Sequence, residues 1–190
     1  MAFNRTGLTN DIDRVLFTEE QIAEKVKELG EQITRDYAGL NPLLVCILRG
    51  AVPFFSDLCK QIGDYMEMDF MAISNYGDGM VNTGRNQITK DLSTNIEGRH
   101  VIIVEDIVDS GRTLDHLTRL LNTRNPASLK IACLLDKYKA RAENISLNPE
   151  YYCFTVENEF VVGYGLDYSG AYRNLPYIGV LKKEVYTDAE

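Results

Sequence analysis

The chain has 190 residues, 45% of them hydrophobic and 25% charged. That balance describes one globular domain able to bury its own core and excludes a disordered chain. With 20 Lys and Arg against 28 Asp and Glu, the net charge of −8 argues against a surface that coats nucleic acid. It still permits a local basic site for small phosphates. No apolar run is long enough to span a bilayer, and Met1-Ala2-Phe3-Asn4-Arg5 lacks the apolar core of a signal peptide, so the expected compartment is the cytosol. Cys46, Cys59, Cys133 and Cys153 lie among apolar or aromatic neighbours without a Cys-x-x-Cys pair, and read as reduced core residues. His100 and His116 have no ligand-spaced partner and read as structural or exposed.

In chain order, Ile12 to Phe17 is a short apolar-alternating piece. Thr18-Glu19-Glu20-Gln21 then forms a capping box into Ile22, Val26, Leu29 and Ile33, which recur at helical spacing. That helix is expected to end near Tyr37-Ala38-Gly39. Leu43 to Leu48 reads as a buried strand running straight into Arg49-Gly50, and Val52 to Ile62 as a helix with Pro53 in its first turn. Strand, glycine turn and helix together begin a right-handed crossover unit. Tyr65 to Ile73 alternates as a strand. The stretch 75–85, with Gly77, Gly79 and Gly84, is either a plain hairpin connection returning through Ile88 to Leu92 or a mobile lid.

The most informative stretch is Val101 to Leu114. Four β-branched residues in a row, apolar on both faces, suit a strand in the middle of a parallel sheet. Glu105 and Asp106 follow, where that strand is expected to reach the sheet edge. Asp109-Ser110-Gly111-Arg112-Thr113 then reads as a tight turn into a helix carrying Leu114, Leu117, Leu120 and Leu121. Such a turn offers backbone N–H groups and small hydroxyls, a cradle for phosphate. Adjacent carboxylates repel phosphate and suit ribose hydroxyls or a metal. Together they describe a site for a ribose 5-phosphate; the bland alternative is a core strand followed by a capped helix.

Beyond Asn125-Pro126, Ser128 to Leu135 is a buried strand ending at Asp136-Lys137. Tyr138 to Pro149 is polar, without periodicity or functional reading. Tyr151 to Val156 and Phe160 to Tyr164 read as short strands. The remainder, from Gly165 to Leu181, reads as irregular and aromatic.

The segment Glu105-Asp106-Ile107-Val108-Asp109-Ser110-Gly111-Arg112-Thr113 resembles the phosphoribosyl-diphosphate (PRPP) signature of type I phosphoribosyltransferases, in the form found in the 6-oxopurine, hypoxanthine-guanine branch. Leu48-Arg49-Gly50 is similar to that family's pyrophosphate-binding turn, where the peptide before the basic residue can be cis. Phe160 to Tyr168, with Tyr172 to Ile178, resembles its purine and metal motif, and Ser74-Asn75-Tyr76-Gly77 the start of its lid. The four motifs run in the family order from Leu48 to Arg173.

What the resemblance implies is an α/β fold across residues 1–190, with a central parallel sheet flanked by helices and a small cap, or hood, built from the two chain ends. It implies transfer of a phosphoribosyl group from PRPP to hypoxanthine or guanine, with Mg2+ as cofactor and a homodimer or homotetramer as the assembly. Neither nucleic acid nor membrane is an expected partner. By the same resemblance Asp109 is catalytic, and Glu105, Asp106, Asp109, Ser110, Gly111, Arg112 and Thr113 bind the ribose phosphate. Arg49, Gly50 and Arg173 bind pyrophosphate, while Lys137, Phe160, Val161 and Asp167 bind the purine. Asp167, Glu105 and Asp106 hold the metal, and Asn75 and Tyr76 belong to the lid.

Two departures stand out. Asn75 occupies a lid position where Ser commonly precedes the Tyr, and the segment 138–156 matches too loosely for anything to be carried over. Two rival classes fare worse. A regulatory relative that binds RNA calls for a basic face, against a charge of −8. A dinucleotide-binding oxidoreductase calls for a Gly-x-Gly-x-x-Gly after a strand, and none is present.

Overall fold

The run Val101–Val104 packs helices on both of its faces, which is why it tolerates no polar residue. The computed structural model describes residues 6–75 and 86–187. In chain order these hold α1 (Thr6–Asn10), β1 (Ile12–Phe17), α2 (Glu19–Asp36), β2 (Leu43–Leu48), α3 (Val52–Gln61), β3 (Glu67–Asn75) and β4 (Asn86–Lys90). There follow β5 (His100–Val108), α4 (Arg112–Asn122), β6 (Ser128–Asp136), β7 (Tyr151–Thr155), β8 (Val161–Val162), β9 (Ile178–Leu181) and α5 (Lys183–Thr187). A single 3-10 turn covers Tyr138–Ala140.

Six strands form the main sheet in the order β4-β3-β2-β5-β6-β7. All neighbours are parallel except β3 and β4, which pair antiparallel at one edge. Because side chains alternate along a strand, Leu44, Cys46, Ile102 and Val104 meet α2 and α3 on one face. Leu43, Val45, Val101 and Ile103 meet α4 through Leu114, Leu117 and Leu121 on the other. Leu120 is only half-buried.

The capping box at Thr18 is formed: its hydroxyl accepts from the Gln21 N–H at 3.3 Å, and the Gln21 side chain accepts from the Thr18 N–H at 2.9 Å. Cys46, Cys133 and Cys153 are buried and Cys59 half-buried, all free. Burial pushes the Cys46 and Cys153 thiols up to about 12, so they serve as apolar filler rather than nucleophiles. His100 bonds Ser128 within the structure, and His116 is exposed. Among the described residues no helix is long and apolar enough to cross a membrane.

Both chain ends build a second, three-stranded sheet, β1-β9-β8, antiparallel throughout. This is the expected cap, with two corrections. The C-terminal tail is not irregular to its end, because Ile178–Leu181 is the central, fully buried strand of the cap. Four residues are too short to show a period, and their partners in β1 lie over 160 positions away. The expected strand from Phe160 to Tyr164 shrinks to Val161–Val162, since Gly163 adopts φ +100° and turns back toward Leu166. At the other edge both strands of the expected hairpin are present as β3 and β4. Asn75, expected at the start of the lid, lies in their ladder opposite Asn86; Tyr76 and the rest of the connection lie outside the described residues.

Gly30 sits inside α2, where alanine would ordinarily add helix propensity of about 1 kcal/mol. A Cβ there would lie 2.4 Å from Gln61 Cβ and 2.9 Å from its backbone, so the glycine permits α2 and α3 to touch. Gly30→Ala is expected to destabilise the protein by about 1–2 kcal/mol despite the better propensity. A urea midpoint at or above that of wild type would contradict this.

Candidate active site

The loops that follow β2, β5 and β6 meet at the carboxyl ends of these strands, the place where open α/β sheets bind ligands. Val108, Asp109, Ser110, Gly111 and Thr113 line a cavity of about 240 Å³ together with Glu105 and Leu48. Gly111 adopts φ +77° and caps α4 with no side-chain hydrogen bond, so the helix opens on bare backbone donors. Its positive end therefore faces the turn, an arrangement suited to phosphate.

The strand does not end at the carboxylates, where the sequence places the sheet edge; β5 continues through them to Val108. Alternation then sends them opposite ways. Glu105 lines the cavity. Asp106 lies against Gly50, where a Cβ would come within 1.5 Å of its Oδ2 and 3.4 Å of Arg173 Nη1. Burial, reinforced by the Asp106 charge, drives the Glu105 carboxyl well above the usual carboxylate range. Its Oε2 is buried without a hydrogen-bond partner among the described residues. A buried oxygen in that state calls for a donor or a cation. Burial also lifts Asp106 to about 6, against the pull of the Ile107 N–H and Arg173.

Among the described residues no three His, Cys, Asp or Glu side chains lie together closely enough to hold a metal ion, so Glu105, Asp106 and Asp167 are not a preassembled trio. Asp167 accepts from the Gly170 N–H at 2.7 Å and pairs at 2.7 Å with Arg173 Nη2, beside Asp106. A magnesium ion held by one or two carboxylates, substrate phosphates and water needs no such trio. The unpartnered Glu105 oxygen and Asp106 fit that chemistry.

Other expected residues fall into two groups. Arg173 donates to the Gly165 carbonyl at 2.6 Å, which brings the cap loop over the Arg49-Gly50 turn. A Cβ on Gly165 would come 2.0 Å from the Gly50 carbonyl, so the two turns touch backbone to backbone. The Leu48–Arg49 peptide is cis. Arg49 itself is exposed, as is Arg112. Lys137, 8% exposed, places its ammonium 3.8 Å from the Asp109 carboxylate. The cap residue Phe160 stacks on Tyr186 of α5 at 4.9 Å and meets Tyr168 edge-on. It lines a separate cavity with Arg14 and Lys183, while Val161 is buried beside it in β8.

Sequence reasoning missed Asp136 and Arg141, a buried pair whose guanidinium donates to the carboxylate directly behind the phosphate turn. Arg141 lies in the segment without periodicity, and its acceptors in the phosphate turn, Val108 and Asp109, lie 33 and 32 positions away, so no local pattern could have marked it.

Asp106 also makes a pH dependence. In ligand-free protein its proton is held more tightly folded than unfolded, where the ordinary value is 3.8. The stability this contributes is complete below about pH 4 and is lost as pH rises through about 6. Asp106→Asn should therefore gain on wild type between pH 4 and 7, by on the order of 2 kcal/mol once the partial solvent contact of the carboxyl is allowed for. Parallel denaturation midpoints for the two proteins across that range would refute it.

Comparison with known proteins agrees with this geometry. A family profile described as a phosphoribosyl transferase domain matches residues 16–169. The hypoxanthine-guanine phosphoribosyltransferase of Streptococcus thermophilus is 54% identical over 179 residues, 94% of this chain and 98% of that protein. The enzyme of the same name from Streptococcus pneumoniae is 52% identical over 95% of this chain and 99% of its own. A crystal structure of a hypoxanthine phosphoribosyltransferase from Staphylococcus aureus superposes with a TM-score of 0.91 at 46% identity, covering 97% of this chain and all of that one. On profile, sequence and architecture alike, the chain belongs to the phosphoribosyltransferase family.

Proposed function

We propose that the chain transfers the 5-phosphoribosyl group of PRPP to N9 of hypoxanthine or guanine, releasing pyrophosphate and forming the nucleoside monophosphate. The observation that carries this is one cavity lined both by the Asp109–Thr113 turn and by Glu105, whose Oε2 is buried without a partner among the described residues. A phosphate cradle and a residue with a hydroxyl- or cation-seeking carboxylate line the same 240 Å³ space. The names borne by the relatives from the two streptococci support the choice of acceptor.

In this reading the turn holds the 5′-phosphate, while Glu105 and Asp106 fix the ribose hydroxyls. Mg2+, when bound by these carboxylates and the substrate phosphates, supplies positive charge to the leaving pyrophosphate. Arg49 and Arg173 bind that pyrophosphate as its charge grows and the anomeric carbon becomes cationic. Asp109 takes the purine N7 proton, and Lys137 donates to the 6-oxo group. Phe160 stacks on the base, Val161 presents backbone to its edge, and Asp167, which also pairs with Arg173, would add a third carboxylate for the metal. The same reading implies a cytoplasmic homodimer or homotetramer.

The direct test supplies PRPP and Mg2+ with hypoxanthine, guanine, xanthine or adenine in turn; nucleotide is expected with the 6-oxopurines and not with adenine. Product from none of the four would end the proposal. Asp109→Asn should keep its fold and PRPP affinity while kcat falls roughly 10²-fold, the worth of a positioned proton-transfer group. Wild-type turnover in that variant would remove Asp109 from the chemistry.

Base choice gives a second check. The Lys137 ammonium donates and cannot accept, so it pairs with a 6-oxo oxygen and leaves the 6-amino group of adenine facing another donor. Such a mismatch can cost roughly 10⁴-fold in kcat/KM. Lys137→Ser, whose hydroxyl does both, is expected to lose much of that discrimination along with absolute activity on hypoxanthine. An unchanged hypoxanthine-to-adenine ratio would place selectivity elsewhere.

A further inference from the structure

The segment after Lys137, which sequence patterns left without a role, supplies the back of the phosphate turn. The Arg141 side chain is about 10% exposed, as is that of Asp136, with which it pairs. Its Nη1 donates to the Val108 carbonyl at 2.7 Å and also to that of Asp109. Its Nε donates to the Leu147 carbonyl at 3.0 Å. The next residue continues the pattern, with the Ala142 N–H donating to the Ser110 carbonyl at 3.1 Å. Three consecutive carbonyls, Val108, Asp109 and Ser110, are thus all held by residues 141 and 142.

In a trans peptide the N–H points away from the carbonyl of the same unit. Holding those three carbonyls behind the turn therefore sends the N–H groups of Asp109, Ser110 and Gly111 the other way. Successive N–H groups turned to one side make an anion-binding nest. The same guanidinium stem fills the space behind Gly111, whose built Cβ would come 3.2 Å from Arg141 Cδ. A buried ion pair adds little net stability by itself, and the Arg141–Asp136 pair is better explained by geometry. Only a planar fork with five fixed donors can serve two adjacent carbonyls, a carboxylate and a third carbonyl together.

We infer that Arg141 is a positioning residue that sets the Asp109–Gly111 backbone for the 5′-phosphate without touching substrate. This rests on reading the Asp109–Thr113 turn as the phosphate cradle. A lysine at this position keeps the charge facing Asp136 but cannot span the two carbonyls, so the defect should fall on phosphate recognition.

The test compares dissociation constants of inosine 5′-monophosphate and inosine, which differ by the 5′-phosphate alone, for wild type and Arg141→Lys. Wild type should prefer the nucleotide strongly, and Arg141→Lys should lose about tenfold of that preference while its affinity for inosine moves little. A general loosening of the fold would weaken both ligands alike. An unchanged preference in a folded variant overturns the role. Should Arg141→Lys fail to fold, Asp136→Asn decides, since it frees one side of the guanidinium and keeps the volume; a loss of about threefold supports the inference and no loss overturns it. Wild type with no preference for the nucleotide would instead overturn the cradle reading, and this role with it.

Discussion

Side-chain alternation along β5 governs the site. The sheet is covered by helices on both faces, so each residue of Val101–Val104 must be apolar, and odd and even positions serve different cores. That alternation does not stop at Glu105. Carried two residues further, it sends one carboxylate into the cavity and the next against Gly50. Two acids adjacent in sequence therefore reach the site from opposite sides of one strand, each at a depth where its charge is costly. Burial of that kind is tolerated where a cation or donors complete it, which is the chemical demand the proposed substrate and its magnesium would meet.

A second constraint is close backbone approach. Gly50 leaves room for the Asp106 carboxylate, and Gly165 leaves room for the Gly50 carbonyl. A side chain at either place would push the cap away from the sheet. Through this contact Arg173, which belongs to the cap, comes to stand beside Asp106, which belongs to the sheet. The cap therefore supplies charge to a site whose acids the sheet provides, and neither unit holds the full set alone.

The buried arginine behind the turn extends the same logic to orientation. Phosphate recognition by backbone needs N–H groups that already point the right way, since turning them during binding would cost affinity. Here the carbonyls are tied down by residues from beyond β6. The turn is thus shaped from outside its own sequence.

What the sequence determined by itself is the framework and the chemistry. The apolar run before Glu105 marks the central strand, the capping box marks the start of α2, and Leu114, Leu117 and Leu121 mark the buried face of α4. These are local signals, written in periods of two and 3.6, and they survive into the structure because nothing distant competes with them. The residues brought to the site were named from motifs for the same reason. Tertiary structure alone decided the remainder: the central cap strand Ile178–Leu181, one of whose two partner strands lies at the other end of the chain; the pairing of Asp167 with Arg173; and the capture of Asp109 by Lys137 and Arg141. Each depends on groups that meet only once the chain has folded, and such meetings leave no period in the sequence.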